Sequence, residues 1–284
     1  KQSKFLVRML THHVDFVSTC PEVAAGMSVP RETLRLINRP QGVRLIGNRS
    51  STDYTESMKD SVAKQVESLA AEQLDGFVFK KDSPSCGLER VRIYEDAHVP
   101  PSRGGRGLFA AALKERLPNL PSTEDGWLND QPLREAFFEQ VFTHHRMRTQ
   151  LFNSTHPRDL MSFHADHKFL YMSRSPKQCR KLGQIVGTLS GRPYEEVLAD
   201  YVSTAMQALS QRSSRGKHVN VLQHILGFFK GVLNPAETQE ILLLIEDFRR
   251  GFHELVVPLT LIRHHIRKYE PSVWLERQYY LNPY

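Results

Sequence analysis

The hydrophobic pattern of this 284-residue chain changes its period near residue 130, and that change points to a two-part fold. Before it, short β-type runs alternate with helical stretches. Val14-Asp15-Phe16-Val17 reads as a strand leading directly into Cys20. Val43-Arg44-Leu45-Ile46 reads as a second strand, and Gly76-Phe77-Val78-Phe79 as a third, running into the loop that holds Cys86. Between them Met58, Val62, Val66, Leu69 and Leu74 recur near the helical period, with Thr55 placed as an N-cap. Gly107 to Leu117 reads as a short helix. Strands alternating with helices predict an α/β domain with a mostly parallel sheet. Pro118 to Pro132 holds three prolines, a glycine and several acids, and reads as a linker. Beyond it almost every stretch has helical spacing: Leu133 to Phe152, then 194–211, 219–233, 236–250 and 256–269. Pro193 stands where a helix would start. The expectation is an α/β domain over 1–128 and an all-α domain of six or seven helices over 129–284.

Composition narrows the class. Hydrophobic residues make up 40% and charged residues 24%, enough for a sizeable core and unlike a disordered or fibrous chain. No apolar run approaches the roughly 18 residues of a membrane span, and no charged-then-apolar leader is visible, so a cytoplasmic location is expected. Three cysteines are too few for a disulfide framework and suit a reducing compartment. Residues 1–130 hold 18 Lys and Arg against 17 Asp and Glu, whereas 131–284 hold 20 against 14. Ten of the 13 histidines also lie in the second part. A basic half suits an anionic partner, with nucleic acid foremost, through phosphate neutralisation. A solvated basic surface accounts for the charge equally well.

Two cysteine loops carry the chemistry. Cys20-Pro21-Glu22-Val23 follows the first expected strand, and Ser83-Pro84-Ser85-Cys86-Gly87 follows the third. If those strands are parallel neighbours, both loops sit at carboxyl ends, where open α/β sheets place ligands. The prolines stiffen the loops, and Gly87 permits a tight turn. There is no Cys-x-x-Cys pair, which disfavours a zinc ribbon or a thioredoxin-type pair. Two cysteines alone leave any cluster incomplete.

Cys20-Pro21-Glu22-Val23 with Gly26, Pro30-Arg31 and Leu36, then Asp53-Tyr54-Thr55, the run Asp75 to Val91 and Arg106-Gly107-Leu108-Phe109-Ala110 together resemble the TudS family of thiouracil desulfidases. The resemblance covers about 1–126. Phe142-Thr143-His144-His145-Arg146, His164-Ala165-Asp166-His167-Lys168 and Tyr171-Met172 resemble a YbgA-type helical domain. The fused arrangement is similar to that of tRNA 4-thiouridine desulfidases. The resemblance implies a [4Fe–4S] cluster held by three cysteines, with one iron open. Cys20 and Cys86 match two of those ligands. The third belongs to an N-terminal Cys-x-x-Gly motif that this sequence lacks, and Lys1 corresponds to a position just after it. The native protein is therefore expected to extend upstream of Lys1 and to carry the third ligand there. Cys179 matches no ligand.

Thiolates are soft ligands suited to iron–sulfur clusters. An open iron is a thiophilic Lewis acid, and the implied reaction exchanges the sulfur of a thiocarbonyl for oxygen from water. Proton transfers are needed, and the resemblance assigns acid–base work to Glu22 and a substrate or water contact to Ser83. Ser85 reads as a supporting loop residue. His164 and His167, three apart, read as packing or phosphate-contacting residues before a metal pair. Ser102-Arg103-Gly104-Gly105-Arg106-Gly107 opens a helix and offers Arg103 and Arg106 to a phosphate. Lys168, Lys177, Arg180, Lys181, Arg215 and Lys217 are the candidate tRNA contacts of the helical part. The expected function is cluster-dependent removal of sulfur from 4-thiouridine in tRNA, with no membrane partner. The rivals are a desulfidase of free thiouracil or its nucleotide, and a non-catalytic RNA-binding or regulatory protein. A zinc-site hydrolase is more remote.

Overall fold

The structure is a computed structural model that describes residue 10 and residues 13–95 and 99–283. It divides into two compact units, Lys1–Phe137 and Phe138–Tyr284.

The first unit is α/β, as its alternating pattern predicts. Its elements are α1 (Pro21–Ala24), β1 (Leu34–Arg39), β2 (Gly42–Gly47), α2 (Thr55–Ala71), β3 (Phe77–Phe79), β4 (Val91–Tyr94), β5 (Ser102–Gly105), α3 (Leu108–Arg116) and β6 (Ser122–Glu124). The main sheet has the order β2-β1-β4-β5. It is mixed: β1 runs antiparallel to β2 and parallel to β4, and β4 runs antiparallel to β5. The expectation of a mostly parallel sheet is corrected here. Pro40-Gln41 turns β1 tightly into β2, with Gly42 at a φ of +104°, a value that a side chain would strain. A two-residue turn of this kind forces antiparallel pairing, which strand spacing alone does not reveal.

Met58, Val62, Val66 and Leu69 form the buried stripe of α2, against Leu36 and Leu45 of the sheet and Phe109, Ala110 and Leu113 of α3. Thr55 lies inside α2 and is not its cap. Its backbone N–H donates to Asp53 Oδ1 at 2.8 Å, while its hydroxyl accepts from the backbone of Leu45 at 2.8 Å. The residues read as a linker are structural. Ser122–Glu124 pairs parallel with β3 from Phe77↔Ser122 to Phe79↔Glu124, and Leu120, Thr123, Glu124 and Leu128 are buried. The prolines of this stretch flank the strand and do not interrupt it. Val14–Val17 forms no strand among the described residues, and Phe16 and Val17 are exposed.

The second unit is helical. α4 (Gln131–Gln150) spans the division, followed by α5 (Pro157–Arg174), α6 (Pro176–Gly187), α7 (Tyr194–Leu209), α8 (Arg215–Gly227), α9 (Pro235–Arg250), α10 (Val256–Tyr269) and the single turn α11 (Val273–Glu276). Proline stands in the first turn of α5, α6 and α9, where its missing N–H has no intrahelical role. A capping box of Asn234 and Glu237 begins α9, and Gly251 ends it in the left-handed region. The core of this unit includes Leu160, Leu182, Tyr201, Leu222, Ile241 and Ile262. No helix among the described residues is long and apolar enough to cross a membrane.

Candidate active site

The site of the first unit is built from two loops whose cysteines are 66 positions apart. Cys20 caps the short helix α1 and places Glu22 in its first turn. Gly26, at a φ of +80°, then turns the chain back, and the N–H of Met27 closes on the carbonyl of Glu22 at 3.0 Å. The return brings Arg31 onto both residues. Its guanidinium lies 2.6 Å from Glu22 Oε2 and 3.4 Å from Cys20 Sγ, and the Cys20 thiol lies 3.4 Å from the same carboxylate oxygen.

The second loop follows β3. Ser83 Oγ accepts the N–H of Cys86 at 3.1 Å, and the Ser83 carbonyl accepts that of Gly87 at 2.7 Å. The N-terminus of α3 clamps the loop: Gly107 and Phe109 donate their N–H groups to the carbonyls of Gly87 and Ser85 at 2.8 and 2.9 Å. A Cβ on Gly107 would fall 2.4 Å from the Ser85 carbonyl carbon, so only glycine allows this approach. From β6 the buried carboxylate of Glu124 accepts the N–H groups of Leu88 and Glu89 at 2.9 and 3.3 Å.

The loops join through Ser85. Its hydroxyl donates to Glu22 Oε1 at 2.6 Å, lies 3.0 Å from Ser83 Oγ and 3.6 Å from Cys86 Sγ. With the single Ser85 proton committed to Glu22, Ser83 is the donor to Ser85, and a hydroxyl chain runs Ser83 to Ser85 to the carboxylate. Glu22 thus receives a cation on one oxygen and a hydroxyl on the other. Burial pushes the Cys86 thiol up to about 12, with the negative charges of Glu22 and Cys20 adding to the effect and the neighbouring Ser85 and Ser83 hydroxyls opposing it.

A profile of the 2-thiouracil desulfurase family matches residues 1–125, and one described as "Protein of unknown function (DUF1722)" matches residues 168–284. The chain is 30% identical over 114 residues to "Uncharacterized protein YbbK" of Bacillus subtilis (strain 168), covering 38% of this chain and 74% of that protein. The chain belongs to the 2-thiouracil desulfurase family. It is also 27% identical over 154 residues to "Uncharacterized protein YbgA" of Escherichia coli (strain K12), covering 54% of this chain and 90% of that protein. The desulfurase domain is therefore fused to a YbgA-type domain. No solved structure matches.

The desulfurase unit holds Cys20, Glu22, Ser83 and Cys86 together, as the two loops predict, although the sheet geometry differs from the one that prompted the expectation. Both thiols are free and half-buried, and they face one carboxylate. They fit two positions of a three-cysteine cluster. Among the described residues no three His, Cys, Asp or Glu side chains gather as a metal site. Cys179, the remaining cysteine, is packed in the core of the helical unit. Ser85, read from the sequence as a supporting loop residue, joins the two loops, and Arg31 is the addition that sequence reasoning missed. Pro30-Arg31 was visible in the same motif, but nothing in its spacing showed that Gly26 would fold it back.

The candidate phosphate contacts separate into two sets. Arg103, Lys168, Lys177, Arg180 and Lys181 are exposed. Arg106 donates to the Leu88 carbonyl at 2.9 Å and so braces the Cys86 loop. Arg215 donates to the carbonyls of Phe248 and His253, both at 3.0 Å, and pairs with Glu254. Lys217 donates to the carbonyls of Arg174 and Arg212 at 2.7 and 2.8 Å. Both tie helix ends together, so their donors serve the fold first. His167 uses both ring nitrogens internally, accepting from Arg146 at 3.1 Å and reaching the Phe163 carbonyl at 2.8 Å. It packs, as expected, and offers no lone pair to a metal.

Proposed function

We propose that the protein removes sulfur from 4-thiouridine in tRNA, leaving uridine, with a [4Fe–4S] cluster bound at Cys20 and Cys86. The observation that carries the reading is the meeting of two free thiols from distant loops over Glu22, in a desulfurase-family unit. The net reaction exchanges C=S for C=O at the cost of one water, with sulfide as the other product and no change in electron count. A bound cluster would supply a thiophilic iron to the departing sulfur. Cys20 and Cys86 would supply two thiolates of such a cluster, and Cys179 is packed in the helical core.

The protein's own groups account for the proton steps. The Glu22 carboxylate is fixed by Arg31 and Ser85 and is placed to take a proton from attacking water. The Ser83–Ser85 hydroxyl chain holds the second oxygen in place. The tRNA part rests on the charge excess of residues 131–284 and on the exposed Lys177 and Lys181. A base inside folded tRNA would be unstacked to reach the site.

The test uses the full-length protein, loaded anaerobically with iron and sulfide and incubated with bulk bacterial tRNA. Nucleoside mass spectrometry should show loss of 4-thiouridine with a matching gain of uridine. Unchanged 4-thiouridine with a spectroscopically confirmed cluster would reject the tRNA substrate, and turnover of free thiouracil or its nucleotide would then replace it.

A further inference from the structure

The helical unit contains a cleft of about 930 Å³ among α5, α6, α8 and the start of α11. We propose that this cleft binds a small nucleotide, a phosphate group carried on a flat and partly apolar body. The volume lies within the range of roughly 300–1,000 Å³ typical of small-molecule sites.

Charge identifies the anionic end. Lys168, Arg180 and Lys217 line the cleft, and no Asp or Glu does. Elsewhere in the unit Arg192, Arg215, Arg249, Lys268 and Arg277 each meet a carboxylate. The side chains of Lys168 and Arg180 make no ion pair among the described residues. Both project their charge onto the same floor. Burial first, and Lys168 second, lower the His164 imidazole to about 4. Burial raises the Cys179 thiol, and Lys168 and Arg180 both oppose that rise. Two like charges on one concave wall repel each other, and an anion between them relieves the repulsion. Lys217 is held rigid by its two carbonyl bonds, which leave its third N–H for a ligand.

Shape identifies the rest. Gly216, in the first turn of α8, leaves its part of the wall bare: a Cβ there would meet nothing within 4 Å. First-turn amides of a helix suit a phosphate oxygen. Met172 and Trp274 supply an apolar surface, and the indole is held by stacking on Phe228 at 5.1 Å between ring centroids. A discrete concave volume with an aromatic wall suits one compact ligand, whereas a polynucleotide backbone asks for an extended groove.

The experiment is calorimetric titration of the full chain with inorganic phosphate, uridine, AMP, UMP and a short single-stranded RNA. AMP or UMP should bind saturably and at least about tenfold more tightly than phosphate or uridine alone. The double variant Lys168→Gln, Arg180→Gln should weaken that binding by about tenfold or more, since both side chains are exposed and unpaired and their loss leaves the fold intact. Gly216→Leu, which fills the wall without altering charge, should do the same. Absence of nucleotide binding, or binding unchanged in both variants, would overturn the proposal. So would capture of RNA through Lys168 and Arg180 by a protein that ignores the mononucleotides. None of these readouts involves desulfurisation, so the outcome is independent of the reading of the first unit.

Discussion

At Cys86 the protein makes an anion costly. Burial is the main reason, and the charges of Glu22 and Cys20 add to it, so the thiol is pushed up to about 12 from an ordinary 9.0. A bound cation reverses this logic, because a coordinated thiol loses its proton outright. The metal-free protein should therefore show slow alkylation of Cys86 by iodoacetamide at pH 7.5. The rate should climb about tenfold per pH unit past pH 10. Mass spectrometry of the Cys86 peptide reads it, and a plateau near pH 9 would show an unperturbed thiol. Loading of the proposed cluster should release protons and tighten as pH rises. The two loops were legible at this scale because Cys, Pro, Glu and Ser at fixed offsets resemble a specific motif. The division of labour between Ser83 and Ser85 was not. Both serines flank Pro84, and only the backbone path decides that Ser85 turns inward to Glu22 at 2.6 Å while Ser83 holds the loop.

Among the elements, β6 has the clearest consequence. The sequence pattern there is rich in proline and acids and reads as linker, yet Glu124 is buried and accepts two N–H groups from the loop after Cys86. The pattern misleads because one three-residue strand buried beside β3 needs no alternation of its own, and its acid serves the backbone where an exposed acid would serve solvent. Val14–Val17 errs the other way: a β-type run becomes a strand only when another chain segment takes its hydrogen bonds. Helices were more legible, since Met58, Val62, Val66 and Leu69 declare a face without reference to any partner. Removing the Glu124 carboxylate leaves the buried N–H of Leu88 and the part-buried N–H of Glu89 without that acceptor. Glu124→Ala should destabilise the first unit by about 2–4 kcal/mol. Chemical denaturation of the full chain, followed through Trp127 beside β6, measures it. A loss below about 0.5 kcal/mol would mean that water replaces the carboxylate, as at an ordinary surface position.

Across the whole molecule the second part is the basic one, and part of its charge is committed internally. Arg215 and Lys217 fasten helix ends, Arg174 meets Glu139, and Arg146 lies buried against Tyr279. These cations sit beside buried imidazoles, and that combination gives the helical unit its own response to acid. Burial lowers His164 to about 4, with Lys168 adding to the effect, and lowers His218 to about 4, with Arg174 and Lys217 adding. His167 is held well below its ordinary range by burial and by Arg146. Between pH 6.5 and 4 the unfolded chain binds protons at these positions and the folded chain does not, so stability rises with pH in that window. It is fully present above 6.5 and is lost as pH falls toward 4. For His164 and His218 together, allowing for their partial solvent contact, the loss is on the order of 3 kcal/mol. Among the described residues of the first unit the one histidine, His13, is exposed. Hydrogen exchange at pH 7 and pH 5, corrected for the intrinsic rate, should therefore show protection falling in α5 and α8 while β1 and β2 change less. His218→Gln should flatten the response of α8, because a neutral side chain there has no proton to gain. Equal loss of protection in both units, unaffected by that substitution, would place the acid response in the carboxylates and remove the imidazoles from the account.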